Sequence, residues 1–314
     1  MHKETKMNVW LKPATAMVIW MLFVLIAMGN LSASPVIGPL KFETPDAAVA
    51  ALQKALKDND QEAMKAIFGT EYADRLLAQD KAAAREGRER LYQAAQQALT
   101  LRKDRDDRVV LVIGPEDWPF PVPLVLKEKT WSFNTAEGFE EIMNRRIGGN
   151  ERQAITVCQA YLYAQREYAG LIRDNSGVRK FAQRLISSSG KQDGLYWDPA
   201  TAGGEVSPFG PLVAEYLGGG RKPGDPYYGY YFRVLTRQGK RAPGGPYNYV
   251  INGNMIGGFA MVAFPAEYGK TGIMTFLVSH HGKILQKDLG PKTLEITGRM
   301  KNYNPDSTWT EVKE

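Results

Sequence analysis

Val49, Leu52 and Leu56 recur three and four residues apart, so they share one face of a helix. Thr44 precedes that helix as an N-cap, and Pro45 suits its first position. Asp58-Asn59-Asp60 breaks it and caps a second helix, which carries Ala63, Met64, Ile67 and Phe68 and stops at Gly69. A third helical stretch is expected over about 80–102, with Leu91, Ala95 and Leu99 inward. After a charged turn at 102–108 the period changes. Val109 to Ile113 is a continuous apolar run and reads as a buried strand. Residues 118–126 give a second strand. Pro119, Pro121 and Pro123 cannot donate to a ladder, so its first part must be an edge or irregular. Trp131 to Phe133 is a third strand, entered by a turn at 127–129.

The second half repeats the order on a larger scale. Asn150 is placed as the N-cap of a helix to about Tyr168, with Ile155, Cys158, Tyr161, Leu162 and Gln165 on its apolar stripe. A shorter helix is expected at 178–186, carrying Phe181, Ala182 and Leu185. Loops rich in Gly and Pro follow. Strands are expected at 227–236, 256–264, 272–279 and 283–287. His280-His281-Gly282 joins the last two as a hairpin turn. A closing helix fits 291–301. Helices followed by an antiparallel meander, twice over, predict an α+β fold. The expected organisation is a signal segment at 1–33 and two α+β domains at 41–147 and 148–314, divided at Gly148-Gly149.

Residues 16–28 read AMVIWMLFVLIAM and follow Lys3, Lys6 and Lys12. That run fits a signal-peptide core and falls short of the ~20 residues that cross a bilayer. Cleavage after Gly29 or after Ala33 is expected; an uncleaved anchor is the alternative. No Cys follows the run, which excludes a lipoprotein anchor. The body of the protein is therefore expected outside the cytosol, periplasmic or secreted. Membrane contact is expected only through the signal segment.

Composition narrows the chemistry. One Cys among 314 residues excludes an internal disulfide and any multi-cysteine metal site. Residues 41–147 hold 17 basic and 19 acidic side chains, a net of −2, whereas 148–314 hold 20 and 14, a net of +6. Of 15 Tyr, 13 lie at 148 or later, so the second half carries the aromatic surface. The basic residues are scattered, and no nucleic-acid partner is expected.

No cofactor or metal is expected either. Arg173 to Gly177 resembles the middle of a calcium loop, but Ile172 stands where the first oxygen ligand is needed and Gln183 where the loop needs a bidentate Glu. His280 and His281 would point to opposite faces if both were in a strand. The glycines of 218–224 lack the Lys-Ser/Thr pair of a phosphate loop. Cys158 lies on an apolar stripe and reads as a small buried hydrophobe.

The chain is read as a non-catalytic module. The ligand-binding residues expected are Tyr196, Trp197, Tyr228 and Tyr230, with Arg233, Asp193 and Glu267. Tyr228 and Tyr230 would share one face of a strand; ordinary packing is the other reading of these aromatics. The partner would be an envelope protein, peptide or glycan. The alternative is a hydrolase of envelope polymers, if two of Asp193, Asp225, Glu267 and Asp288 converge.

Three resemblances follow from longer segments. TPDAAVAALQKALKDNDQEAM and KTWSFNT are similar to nuclear transport factor 2-like (cystatin-like) domains. That likeness implies a curved antiparallel sheet around helices, often with a cavity. Asn150, Gly229 to Phe232, Ala263-Phe264-Pro265, Gly272 to Phe276 and Gly282 resemble the globular part of type IV pilin-like proteins. Here, though, the helix is not continuous with the apolar N-terminal run. Residues 42–312 resemble the domain of unknown function 2950 family of secreted bacterial proteins, through segments such as NRRIGGNERQAI, KQDGLYWDP, YNYVINGNMIGGFAMVAFPAEYG and GIMTFLVSHHGKILQKDLGP. That resemblance implies export and a two-part organisation, and it carries no activity.

Overall fold

Thr44 opens the first helix as the spacing predicts. Its backbone is extended, and its Oγ1 accepts the Ala47 N–H at 3.1 Å. Helix α1 runs Pro45–Lys57 and α2 runs Gln61–Phe68, the latter capped by Asp60 Oδ1 on the Ala63 N–H at 3.0 Å. The computed structural model describes residues 38–71, 81–173, 176–201, 204–210, 222 and 224–313. The signal segment, Asp174, Asn175 and most of the 218–224 glycines lie outside the described residues.

Helix α3, Lys81–Gln97, ends earlier than its pattern suggests. Residues 99–105 are a strand, not the last turns of a helix. Leu99 and Leu101 alternate with polar neighbours and sit opposite Ile113 and Leu111. Strands β1 (Leu99–Arg105), β2 (Arg108–Ile113), β3 (Trp118–Pro119), β4 (Leu124–Lys127) and β5 (Thr130–Phe133) form one antiparallel sheet. Its order is β1-β2-β4-β5, with β3 on the end of β2. The break between β3 and β4 falls among the prolines. Leu52, Leu56 and Ile67 pack with Leu111, Leu124 and Phe133 as the first core.

Helix α4 spans Thr135–Ala169, 35 residues. At ~1.5 Å per residue it is about 52 Å long. Asn134 caps it, not Asn150, and Gly148 and Gly149 lie in its interior. An interior Gly costs roughly 1 kcal/mol against Ala. Contacts on both sides of the pair offset that cost. Thr135 Oγ1 donates to Phe68 O at 2.7 Å, and Arg145 Nη1 donates to Pro119 O at 2.8 Å. Beyond the glycines, Asn150 Nδ2 donates to Thr271 O at 2.9 Å. Glu151 Oε1 accepts the N–H groups of both Ile273 and Met274, each at 2.9 Å. A continuous helix therefore runs across the expected division at Gly148-Gly149 and bonds to both halves. The described residues from 38 to 313 cluster as one compact unit.

The second sheet is antiparallel throughout and runs, in spatial order, β14 (Thr310–Glu311), β13 (Ile284–Asp288), β12 (Met274–Ser279), β11 (Ala260–Pro265) and β6 (Tyr230–Leu235). Between β6 and β11 lie two short pairs: β7 (Arg237–Gln238) with β8 (Tyr247–Asn248), and β9 (Val250–Ile251) with β10 (Asn254–Met255). The expected hairpin at 280–282 joins β12 to β13, and α5 (Thr293–Arg299) precedes β14. Every residue of β11 is buried. Alternation places Tyr230 and Phe276 on one face, toward α4, and Arg233 and Leu277 on the other, toward α5.

Residues 178–186 are not helical; they form an irregular stretch with two isolated bridges. Phe181 bridges Met255, and Ile186 bridges Tyr196. Among the described residues, no helix is long and apolar enough to cross a membrane.

Candidate functional site

The last turn of α4, the irregular stretch after it and the 190–193 loop enclose a cleft of about 630 Å³. That lies within the range of small-ligand sites, ~300–1,000 Å³. Tyr168 and Arg173 form one wall, Lys180, Phe181 and Gln183 another, and Lys191 to Asp193 the third. Thr201 also lines it.

Each wall is fixed by long-range pairing. The Phe181 N–H donates to Met255 O at 2.8 Å. The Ser187 N–H donates to Tyr196 O at 2.8 Å, and the Tyr196 N–H returns to Leu185 O at 2.9 Å. Gln165, fully buried in α4, bonds both backbone groups of Ala182. These bonds pair the backbone at Phe181, Ala182 and Leu185 without a helix.

Arg173 is the most constrained group. Its guanidinium lies 4.8 Å from the centre of the Trp197 ring and 5.2 Å from that of Tyr168. Nη1 pairs with Glu205 Oε1 at 2.6 Å, and the side chain is only 6% exposed. Trp197 Nε1 donates to Glu205 O at 3.0 Å, and Gln192 Nε2 donates to Glu205 Oε2 at 3.0 Å. Tyr168 Oη donates to Gln192 O at 2.6 Å. Hydrogen bonds from Arg173 and then Gln192 hold the Glu205 carboxyl below its ordinary value. A buried guanidinium needs a partner of this kind, because a lone charge there would be costly.

Asp193 accepts the Ser188 N–H at 2.7 Å and the Ser188 hydroxyl at 2.9 Å. Burial pushes its carboxyl up, but the Ser188 bonds and Arg184 outweigh that and leave it lowered. It is an ionised acceptor on the rim.

The structure brings only part of the expected set here. Asp193 lines the cleft, and Trp197, 3% exposed, supports Arg173. Tyr196 is half-buried beside it in the bridge to Ile186. Tyr228 and Tyr230 do not share a strand face. The chain turns at Tyr228 (φ +45) and Gly229 (φ +70), and β6 starts only at Tyr230. A side chain at Gly229 would also run into Thr271, 2.7 Å from its Cβ. Tyr230 is fully buried, and its hydroxyl donates to Met274 O at 2.9 Å. Arg233 donates to Thr297 O and to Met300 O, closing the end of α5. Burial lowers its pKa. Glu267 is exposed and pairs with Lys270 at 2.7 Å.

The carboxylates of the hydrolase alternative each serve a turn of their own. Asp225 accepts the Lys222 N–H at 2.8 Å. Asp288 accepts the Gly290 N–H at 2.7 Å and the Tyr268 hydroxyl at 3.2 Å. His280 and His281 both fall in the hairpin turn, so strand alternation does not separate them; their ring centres lie 4.1 Å apart, tilted by 37°. Among the described residues, no group of three or more His, Cys, Asp or Glu is placed to hold a metal ion.

Sequence reasoning missed Tyr168, Arg173, Lys180 and Gln192. One signal was available: Arg173 stands four residues past the end of α4, five from Tyr168, where a cation can reach back to cover a ring face.

A family model described as "Protein of unknown function (DUF2950)" matches residues 40–312. No curated protein and no solved structure matches the chain. The likenesses of the two halves to nuclear transport factor 2-like and pilin-like domains therefore rest on sequence pattern.

Proposed function

Because the chain belongs to the DUF2950 family, whose description assigns no activity, we propose its role from geometry: it is an exported, non-catalytic binding module of the cell envelope. The ligand is a peptide or glycan that docks in the cleft at the end of α4. One observation carries this reading. Arg173, clamped between Trp197, Tyr168 and Glu205, makes a rigid wall before any ligand arrives. Preorganisation of that kind lowers the entropy cost of binding. Lys180 and Lys191 supply positive charge to the lining, Gln183 and Gln192 supply amides, and Phe181 supplies an apolar surface. Export is supported by the basic and apolar pattern of residues 1–33.

Peptide and glycan arrays probed with the purified protein test the reading. Lys191→Glu reverses a lining charge, and Thr201→Trp adds bulk to the lining. Both variants should lose the hits of the wild type. Arrays without hits, or hits that survive both changes, would contradict it. N-terminal sequencing tests export: the mature chain should begin after Gly29 or after Ala33.

A further inference from the structure

A second concavity, about 950 Å³, lies between the outer stripe of α4 and the chain around β13 and β14. Arg152, Thr156, Gln159, Tyr163 and Arg166 line it from the helix. They recur three or four residues apart, so they form one stripe. From Arg152 to Arg166 that stripe extends roughly 21 Å at the usual helical rise. Lys283, Glu311 and Lys313 face it, and Ile155, Leu162, Ile284 and Val312 supply apolar surface.

Two features of this groove favour a partner. Tyr163 is 70% exposed, although the opposite side of the same helix is core. The charge is also one-sided. Four cations meet a single carboxylate, and Glu311 is already engaged by Lys283 at 2.7 Å. Among the described residues, Arg152, Arg166 and Lys313 form no ion pair. A solvated cationic face that serves only solubility needs neither an apolar floor nor an exposed aromatic.

We infer that this groove docks an acidic peptide segment of a protein partner, one whose carboxylates alternate with apolar side chains. Charge complementarity selects the acids and steers the encounter. The floor of Ile155, Leu162, Ile284 and Val312 selects the apolar positions. A phosphate polymer would satisfy the cations and leave that floor uncovered. An extended peptide of about six residues spans the stripe at ~3.3 Å per residue. No residue of the cleft takes part, so this surface stands or falls separately from the proposed function.

Fluorescence anisotropy of the full-length protein tests the inference with three probes. These are a hexapeptide alternating Asp and Leu, a hexaglutamate and inorganic polyphosphate. The alternating peptide should bind tightest, and more weakly as salt is raised. The double change Arg152→Glu, Arg166→Glu should weaken it by about tenfold or more, the scale of paired charge losses at an interface. Tyr163→Ala with Lys313→Glu should weaken it too, which keeps the test valid if the first variant folds poorly. Equal or tighter binding of hexaglutamate or polyphosphate would overturn the inference. So would an alternating-peptide affinity unchanged by both variants, or no binding at all.

Discussion

The side-chain amide of Gln165 stands in for a strand beside Ala182. Its Nε2 donates to Ala182 O and its Oε1 accepts the Ala182 N–H, both at 2.8 Å. The same Nε2 also donates to Tyr161 Oη at 3.0 Å. This pair ties the cleft's second wall to α4.

Gln165→Leu should therefore destabilise the protein by about 1–3 kcal/mol, the cost of leaving buried polar groups unpaired. Gln165→Glu should also destabilise it, since it keeps an acceptor and loses the donor. Urea unfolding followed by fluorescence reads both. Midpoints equal to wild type would show that Ala182 finds other partners.

His280 supplies a pH dependence. Burial lowers its pKa from 6.5, and the neighbouring His281 adds to the shift. Its ring stands edge-on to Tyr249 at 5.4 Å, and Tyr247 Oη lies 3.4 Å from its Nε2. The unfolded chain binds a proton at this site more readily than the folded one. The contribution is thus complete above pH 6.5 and declines as pH falls from there through the lowered folded value. Thermal melts from pH 8 to 5 should show that decline. His280→Phe should flatten it, and an equal decline in the variant would assign it to other groups.

Cys158 should be inert in the folded protein. It is fully buried, and burial pushes its thiol up to about 12. The thiolate is the reactive form. A disulfide reagent at pH 8 should label nothing in native buffer and one thiol in urea. Rapid native labelling would mean that α4 opens away from the sheet.

Local signals were legible where their partners are near in sequence. The caps at Thr44 and Asp60, the β2 run and the 280–282 turn all fall within a few residues of the groups they organise. The failures lie where distant partners decide. Asn150 reads as an N-cap, but it lies inside α4, where it and Glu151 bond to Thr271, Ile273 and Met274, more than a hundred residues away. Residues 178–186 have helical spacing, yet their backbone is paired by Gln165, Met255 and Tyr196. The Tyr cluster at 227–231 alternates like a strand until Gly229 takes a positive φ. Most of its aromatic surface then turns inward, Tyr227 and Tyr230 being buried. The cleft was half visible. Asp193 and Trp197 stand out in a Gly-rich segment, whereas Arg173 gains meaning only once Trp197 is beneath it.

Hydrogen exchange of the full-length protein, with and without the highest-scoring array ligand, tests the central claim most directly. The account predicts slowed exchange in 180–183 and 190–193, with 283–284 and 310–313 unchanged. Protection confined to other segments, or no protection anywhere, would contradict it.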